Sequence, residues 1–403
     1  MMNVSYRDLA TTTGSVGDIF RLIRSGTATS RSEIARMTGL SPSTVGLRVE
    51  SLQRLNLVTE EGEQLSRTGR RARVLRVLAE AGYVVGIELG IRYMRLALAD
   101  LRGAVLLRAK LPGLTDQSPQ EAVDTIWHEI QALLSEVEGA TGKLKGVAIG
   151  LPAPIEYSTG RVVSSAFMPS WHNASLPKLF EAVTDVPVLV ENDANLAAIA
   201  YMSDPPAERG DHLLAVLLGT RIGSGIVADG RLLRGFNGAA GELSHTAVST
   251  PAAIPCACGL ESCLEAVASG AAIGARLRSL GHDVENLSDI VALGRGRDPQ
   301  VVAVLRDAGS QVGTVLASTV NFFNPRRVLL AGQLSESTPF VAAIRAELFQ
   351  KCLPIAAQDL DVSAVEEPEY VETRGALRLL LDEVFAPARI DERARVDDLP
   401  VSS

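Results

Sequence analysis

The sequence predicts an α/β protein with an N-terminal winged helix-turn-helix. Three observations carry this. From residue 83 onward, apolar strand-like runs alternate with helical patterns. Residues 13–65 instead repeat apolar side chains at helical spacing around short glycine turns. The charge divides at the same boundary: residues 1–78 hold 12 Arg, no Lys and 7 acidic residues, a balance of +5, while the remainder holds 27 basic and 40 acidic, a balance of −13. A basic head on an acidic body implies that the head meets a polyanion and the body does not.

Taken in order, "SVGDIFRLIRSG" sets Val16, Ile19, Phe20 and Ile23 on one face and stops at Gly26. "SRSEIARMTGL" opens with a capping box, Ser30 with Glu33, and closes at Gly39. Ser41 is the next N-cap, with Pro42 at the first helical position, where its missing N–H costs nothing. Val45, Val49, Leu52 and Leu55 then recur at helical spacing. Helix, glycine turn, helix is the helix-turn-helix pattern, whose second helix lies in the major groove of double-stranded DNA. The outward residues are expected to be Ser43, Thr44, Leu47, Arg48 and Ser51. Arg48 suits a guanine edge, and Ser43 and Thr44 suit phosphate at a helix N-terminus. Two strand-like runs follow around a turn that holds Arg67, Arg70, Arg71, Arg73 and Arg76, of which Arg70 and Arg71 are the expected wing contacts. One head alone buries little surface, so a homodimer or tetramer on a pseudo-palindromic operator is expected.

The body runs through strand candidates "GYVVGIELG", "YMRLALADL", "LKGVAIGLP", "VPVLVEND", "HLLAVLLGT", "GSGIVADG" and "RRVLLAGQ", with helices near 119–138, 194–202, 264–281, 301–322 and 338–350. The last stretch, 387–403, is polar and aperiodic and is expected to be a flexible tail. Four cysteines in 403 residues, no basic-then-apolar leader and no apolar run of about 18 residues point to a cytoplasmic protein without a membrane span.

Three of those cysteines fall within "CACGLESCLE", 256–265. Cys256 and Cys258 are too close in sequence for an unstrained disulfide, so a metal explains them better. Tetrahedral zinc needs a fourth ligand, and His245 lies eleven residues upstream of Cys256. The expected site is one structural Zn²⁺ held by His245, Cys256, Cys258 and Cys263. Clamping both segments would orient Glu242 and Glu265 toward a polyhydroxylated ligand.

"GAAGELSHTAV…CACGLESCLE" resembles the signature of the ROK family, which groups sugar-responsive repressors and sugar kinases. The match falls on Gly235, Gly238, Ala240, Gly241, Glu242, His245, Cys256, Cys258, Gly259, Cys263 and Glu265, and departs at Ser244 and Ser262. It continues through "GLPAPIEYSTG", "ENDANLAA", "LLGTRIGSGIVADGRLLRG" and "NFFNPRRVLLAGQ", covering essentially all of 83–385. The resemblance implies an actin/hexokinase-like body of two α/β lobes with the ligand between them: 79–195, completed by a helix near 373–386, and 196–372, with the zinc site and a dimerisation surface. It implies sugar contacts from Asn192, Asp193, Glu242, His245 and Glu265. A ligand there is expected to bias lobe closure, with the zinc-held loops coupling that motion to the heads.

The family's kinases grip ATP with Asp-x-Gly-Gly-Thr and Gly-Thr-Gly-Ile-Gly turns. Here the first reads "ELGIRY", with Glu88, Ile91 and Arg92 replacing its Asp, second Gly and Thr. Arg221 takes the middle glycine of the second, and Ala331 replaces a further glycine. These departures argue against ATP binding, which leaves Asp193 as a vestigial catalytic base. In the sugar segment "SAFMPSW", Pro169 and Trp171 are kept while Phe167 and Ser170 depart. The resulting expectation is a sugar-responsive transcriptional regulator, most simply a repressor, and not an enzyme. The alternatives are a sugar kinase that kept its head and a regulator controlled by a protein partner.

Overall fold

Three serines start the three helices of the head. The structure is a computed structural model that describes residues 14–65, 71–163, 168–202, 211–296 and 298–397. Helix α1 (Val16–Arg24) begins where Ser15 Oγ accepts the Asp18 N–H at 3.1 Å. In α2 (Arg31–Thr38), Ser30 Oγ accepts the Glu33 N–H, but Glu33 Oε2 turns to the Thr29 N–H at 2.9 Å, one residue outside the expected capping box. Gly39 ends it in the left-handed region, φ +71°. Ser41 caps α3 (Pro42–Arg54) through the Thr44 N–H at 3.1 Å. Ile19, Phe20, Ile34, Val45, Val49 and Leu52 are fully buried and form the core of the head. Strands β1 (Val58–Leu65) and β2 (Arg71–Val77) pair antiparallel as the wing. Arg67 and Arg70 lie outside the described residues, as does the side chain of Arg71.

The body holds two sheets built to one plan. The first contains β3 (Tyr83–Leu89), β4 (Tyr93–Asp100), β5 (Val105–Pro112) and, after α4 (Pro119–Glu136), β6 (Leu144–Leu151). The hairpin β7 (Ile155–Glu156) and β8 (Arg161–Val162) and helix α5 (Leu176–Phe180) precede its last strand, β9 (Val188–Asn192). Helix α6 (Asp193–Ala200) leads to the second sheet: β10 (Leu213–Leu218), β11 (Ile222–Ala228) and β12 (Arg231–Leu232). Helices α7 (Leu264–Ala268), α8 (Gly270–Ser279), α9 (Leu287–Arg295) and α10 (Pro299–Phe323) come before β13 (Arg327–Ala331), and α11 (Thr338–Lys351) and α12 (Pro354–Ala357) before β14 (Asp361–Ala364). The orders are β5-β4-β3-β6-β9 and β12-β11-β10-β13-β14. Each sheet joins an antiparallel meander to two parallel additions at the same positions.

Two helices pack where the lobes meet. Helix α13 (Val371–Val384) returns to lie on β3 and β6 and crosses α6 closely. Glycine is required at the crossing, because a Cβ at Gly375 would run into the Leu196 carbonyl. The expected flexible tail does not begin at 387. Residues Pro387–Asp397 form α14, which buries Ile390 and Ala394 against the head. Only two of its positions are apolar and buried, too few to register as periodicity.

Candidate functional site: the interlobe cleft and the metal-ligand cluster

Strand β9 runs into α6 without a loop, and Asn192 serves both. Its Oδ1 accepts the Asn195 N–H at 3.1 Å, and its Nδ2 donates to the Ala153 carbonyl at 3.3 Å. Asp193 thereby sits at a helix N-terminus beyond the carboxyl end of a parallel strand, where α/β sheets place their ligands. A cleft of about 1080 Å³ opens there between the lobes, and Asn192, Asp193, Glu242 and His245 all line it. Burial pushes the Asp193 carboxyl up to about 7; the Ala194 N–H opposes this, and the nearby carboxylates of Glu88 and Glu242 reinforce it.

Glu265 departs from expectation. It is buried in α7, its Oε2 accepts the Ile222 N–H at 2.8 Å, and its Oε1 lies 3.5 Å from Arg221 Nη2. It braces the start of β11 and is not among the residues that line the cleft. Burial raises its carboxyl, and Arg221 opposes that shift.

In the half of the cleft where the kinases' phosphate turns would act, ion pairs are already made. Glu88, at the end of β3, accepts two bonds from Arg95 Nη1 at 2.9 and 2.8 Å, and Arg95 Nη2 reaches Glu369 at 3.1 Å. Arg92 Nη1 crosses to the second lobe and donates to the Glu285 carbonyl at 2.6 Å. Sequence reasoning missed a further interlobe tie. Arg234, just after β12, donates to Glu191 Oε2 at 2.7 Å and stacks over Tyr157 at 3.7 Å, and Glu191 Oε1 accepts from Asn195 Nδ2 at 2.9 Å. The pair is 43 residues apart, so local spacing held no signal for it.

The four expected metal ligands come together. One ligand atom each from His245, Cys256, Cys258 and Cys263 lie within 4.8 Å of one another. Cys258 Sγ is 3.7 Å from Cys263 Sγ, and Cys256 Sγ is 3.7 Å from His245 Nδ1. Zinc–sulfur bonds of about 2.3 Å in a tetrahedron imply sulfur separations of about 3.8 Å, so the donor set fits a closed Cys₃His site. His245 turns Nδ1 inward and Nε2 to within 3.9 Å of Glu242 Oε2, so a single ring joins the cluster to the cleft.

On the head, Ser43, Leu47 and Arg48 form an exposed face of α3 with Thr44 half-buried beside them. Ser51 is not part of that face. It is buried, its Oγ donating to the Leu47 carbonyl and accepting from Arg54 Nη2, each at 3.2 Å. Among the described residues, no helix is long and apolar enough to cross a membrane.

A sequence model of the ROK family matches residues 84–383. The xylose repressor of Bacillus subtilis (strain 168) is 32% identical over 324 residues, 79% of this chain and 82% of that protein. A glucokinase of Halalkalibacterium halodurans is 28% identical over 270 residues, 63% of this chain and 81% of that protein. Among solved structures, a ROK family transcriptional regulator described as a homologue of the Escherichia coli Mlc protein superposes with a TM-score of 0.77 at 23% identity, covering 96% of this chain and all of that one. With its twin-sheet body, its Cys₃His cluster and its winged head, the chain belongs to the ROK family.

Proposed function

We propose that this protein is a sugar-responsive transcriptional repressor that binds operator DNA as a dimer and takes a sugar or sugar derivative in its interlobe cleft. The observation that carries this is the union, in one chain, of a winged helix with an outward Arg48 and a cleft lined by Asn192, Asp193, Glu242 and His245. Similarity to the xylose repressor supports it. One Zn²⁺ on His245, Cys256, Cys258 and Cys263 would close the loops on that cleft and hold Glu242 beside it. Four protein ligands leave no position for a substrate, so its role is structural. DNA contacts are assigned to Ser43, Thr44, Arg48 and the wing residues Arg70 and Arg71.

The chain is not a working kinase in this reading, because the turn residues are already engaged internally: Glu88 by Arg95, Arg92 by the Glu285 carbonyl and Arg221 by Glu265. The contrary reading has one specific observation behind it: Asp193, with its carboxyl near 7, suits a general base. Thermal-shift screening of the purified chain against pentoses, hexoses and their phosphates, alongside a coupled ATP-consumption assay, separates the two. A stabilising sugar without turnover supports the repressor; turnover with any sugar overturns it.

A further inference from the structure

The sequence assigns coupling between cleft and head to the zinc-held loops, but in the structure another element touches both. Helix α13 enters at the cleft, where buried Glu372, in its first turn, lines the wall with Glu88 and Asp193. Fourteen helical residues, about 21 Å at 1.5 Å each, carry the chain to the head. At that end Arg24 of α1 donates to the Leu381 carbonyl at 3.1 Å and pairs with Asp382 at 2.6 Å. The rings of Phe20 and Phe385 meet at 5.0 Å.

The segment then continues along the head as α14. Asp391 Oδ1 accepts the Gly17 N–H at 2.9 Å, and a Cβ at Gly17 would collide with the Pro387 carbonyl. Asp397 lies 3.3 Å from Arg54, in the last turn of α3. One unbroken stretch, 371–397, therefore begins in the ligand cleft and ends on the DNA-reading helix. From Ala376 to Ala394 its buried apolar residues share one core with α1 and α3.

We propose that residues 371–397 are the transmission element of this protein, with Glu372 and Arg24 as positioning residues at its two ends. A change in lobe closure alters what surrounds Glu372 and shifts α13 along β3 and β6. Because packed helices have discrete arrangements, the shift re-seats α1 and α3 as a unit. The inference rests on the DNA-binding reading above, though not on the identity of the sugar.

The test is a double-mutant cycle on DNA affinity in the full chain. The probe is a fluorescein-labelled duplex selected from a random library by the wild-type protein. E372Q is expected to change affinity about fivefold or more, the size of an ordinary coupling between sites. R24M alone is expected to stay within about threefold of wild type, and E372Q in the R24M background to change affinity by less than about twofold. D382N serves in place of R24M if circular dichroism shows that R24M is unfolded. An E372Q effect that is absent, or equal in both backgrounds, overturns the proposal. Failure of the wild-type chain to select any duplex removes the DNA-binding reading instead, and this proposal with it.

Discussion

Arg221 places Nη2 3.5 Å from Glu265 Oε1, where the family's phosphate turn keeps a glycine. A residue that breaks the kinase pattern is thus held by a carboxylate of α7, two residues after Cys263 of the ligand cluster. Both partners are mostly buried, and Glu265 also carries the Ile222 N–H. Losing Glu265 removes both a charge partner of Arg221 and the acceptor of the buried Ile222 N–H, whereas losing Arg221 leaves a carboxyl that can take up a proton. E265A is expected to destabilise by about 3 kcal/mol and R221A by clearly less. Urea unfolding at neutral pH measures both; the reverse order contradicts the assignment.

Asp193 gives the fold a pH signature. Its carboxyl titrates near 7 in the folded chain against an ordinary value of 3.8, so the folded state holds the proton more tightly. The group's stabilising contribution is present in full below the ordinary value and is lost as pH rises toward 7. D193N, which cannot ionise, should therefore be stabilised relative to wild type more at pH 8 than at pH 5. The same difference at both values would show that Asp193 is not desolvated.

Elemental analysis should find about one zinc per chain, falling in C258S and C263S. Because the ligands converge only in the folded state, chelation should lower the melting temperature by about 5 °C or more. A metal-free chain with an unchanged melting temperature would contradict the site.

On the head, R48A should weaken binding to the selected duplex by about 1–3 kcal/mol and relax preference at one base pair. S51A should leave base preference intact, because Ser51 faces the head's own helix. Loss of preference in S51A with none in R48A would mean that α3 lies on DNA through a different face.

What was legible in the sequence had local chemistry. Ser30 and Ser41 announced their helices through short-range caps, and the cysteine spacing announced a ligand cluster that the fold does bring together. What was not legible depends on distant partners. Ser51 looked outward by helical spacing, yet it accepts Arg54 inside the head. Glu265 looked like a ligand carboxylate until β11 supplied the Ile222 N–H. Helix α14 reads as a polar tail because its order comes from α1, where the Gly17 N–H bonds Asp391 across 374 residues of chain.

The account stands on sugar in the cleft changing the grip of the head on DNA. Fluorescence anisotropy of the selected duplex, titrated with protein at saturating D-xylose and at saturating levels of other sugars that raise the melting temperature, measures this directly. At least one sugar is expected to weaken binding by about tenfold or more. Tight DNA binding that no cleft-bound sugar alters would contradict it.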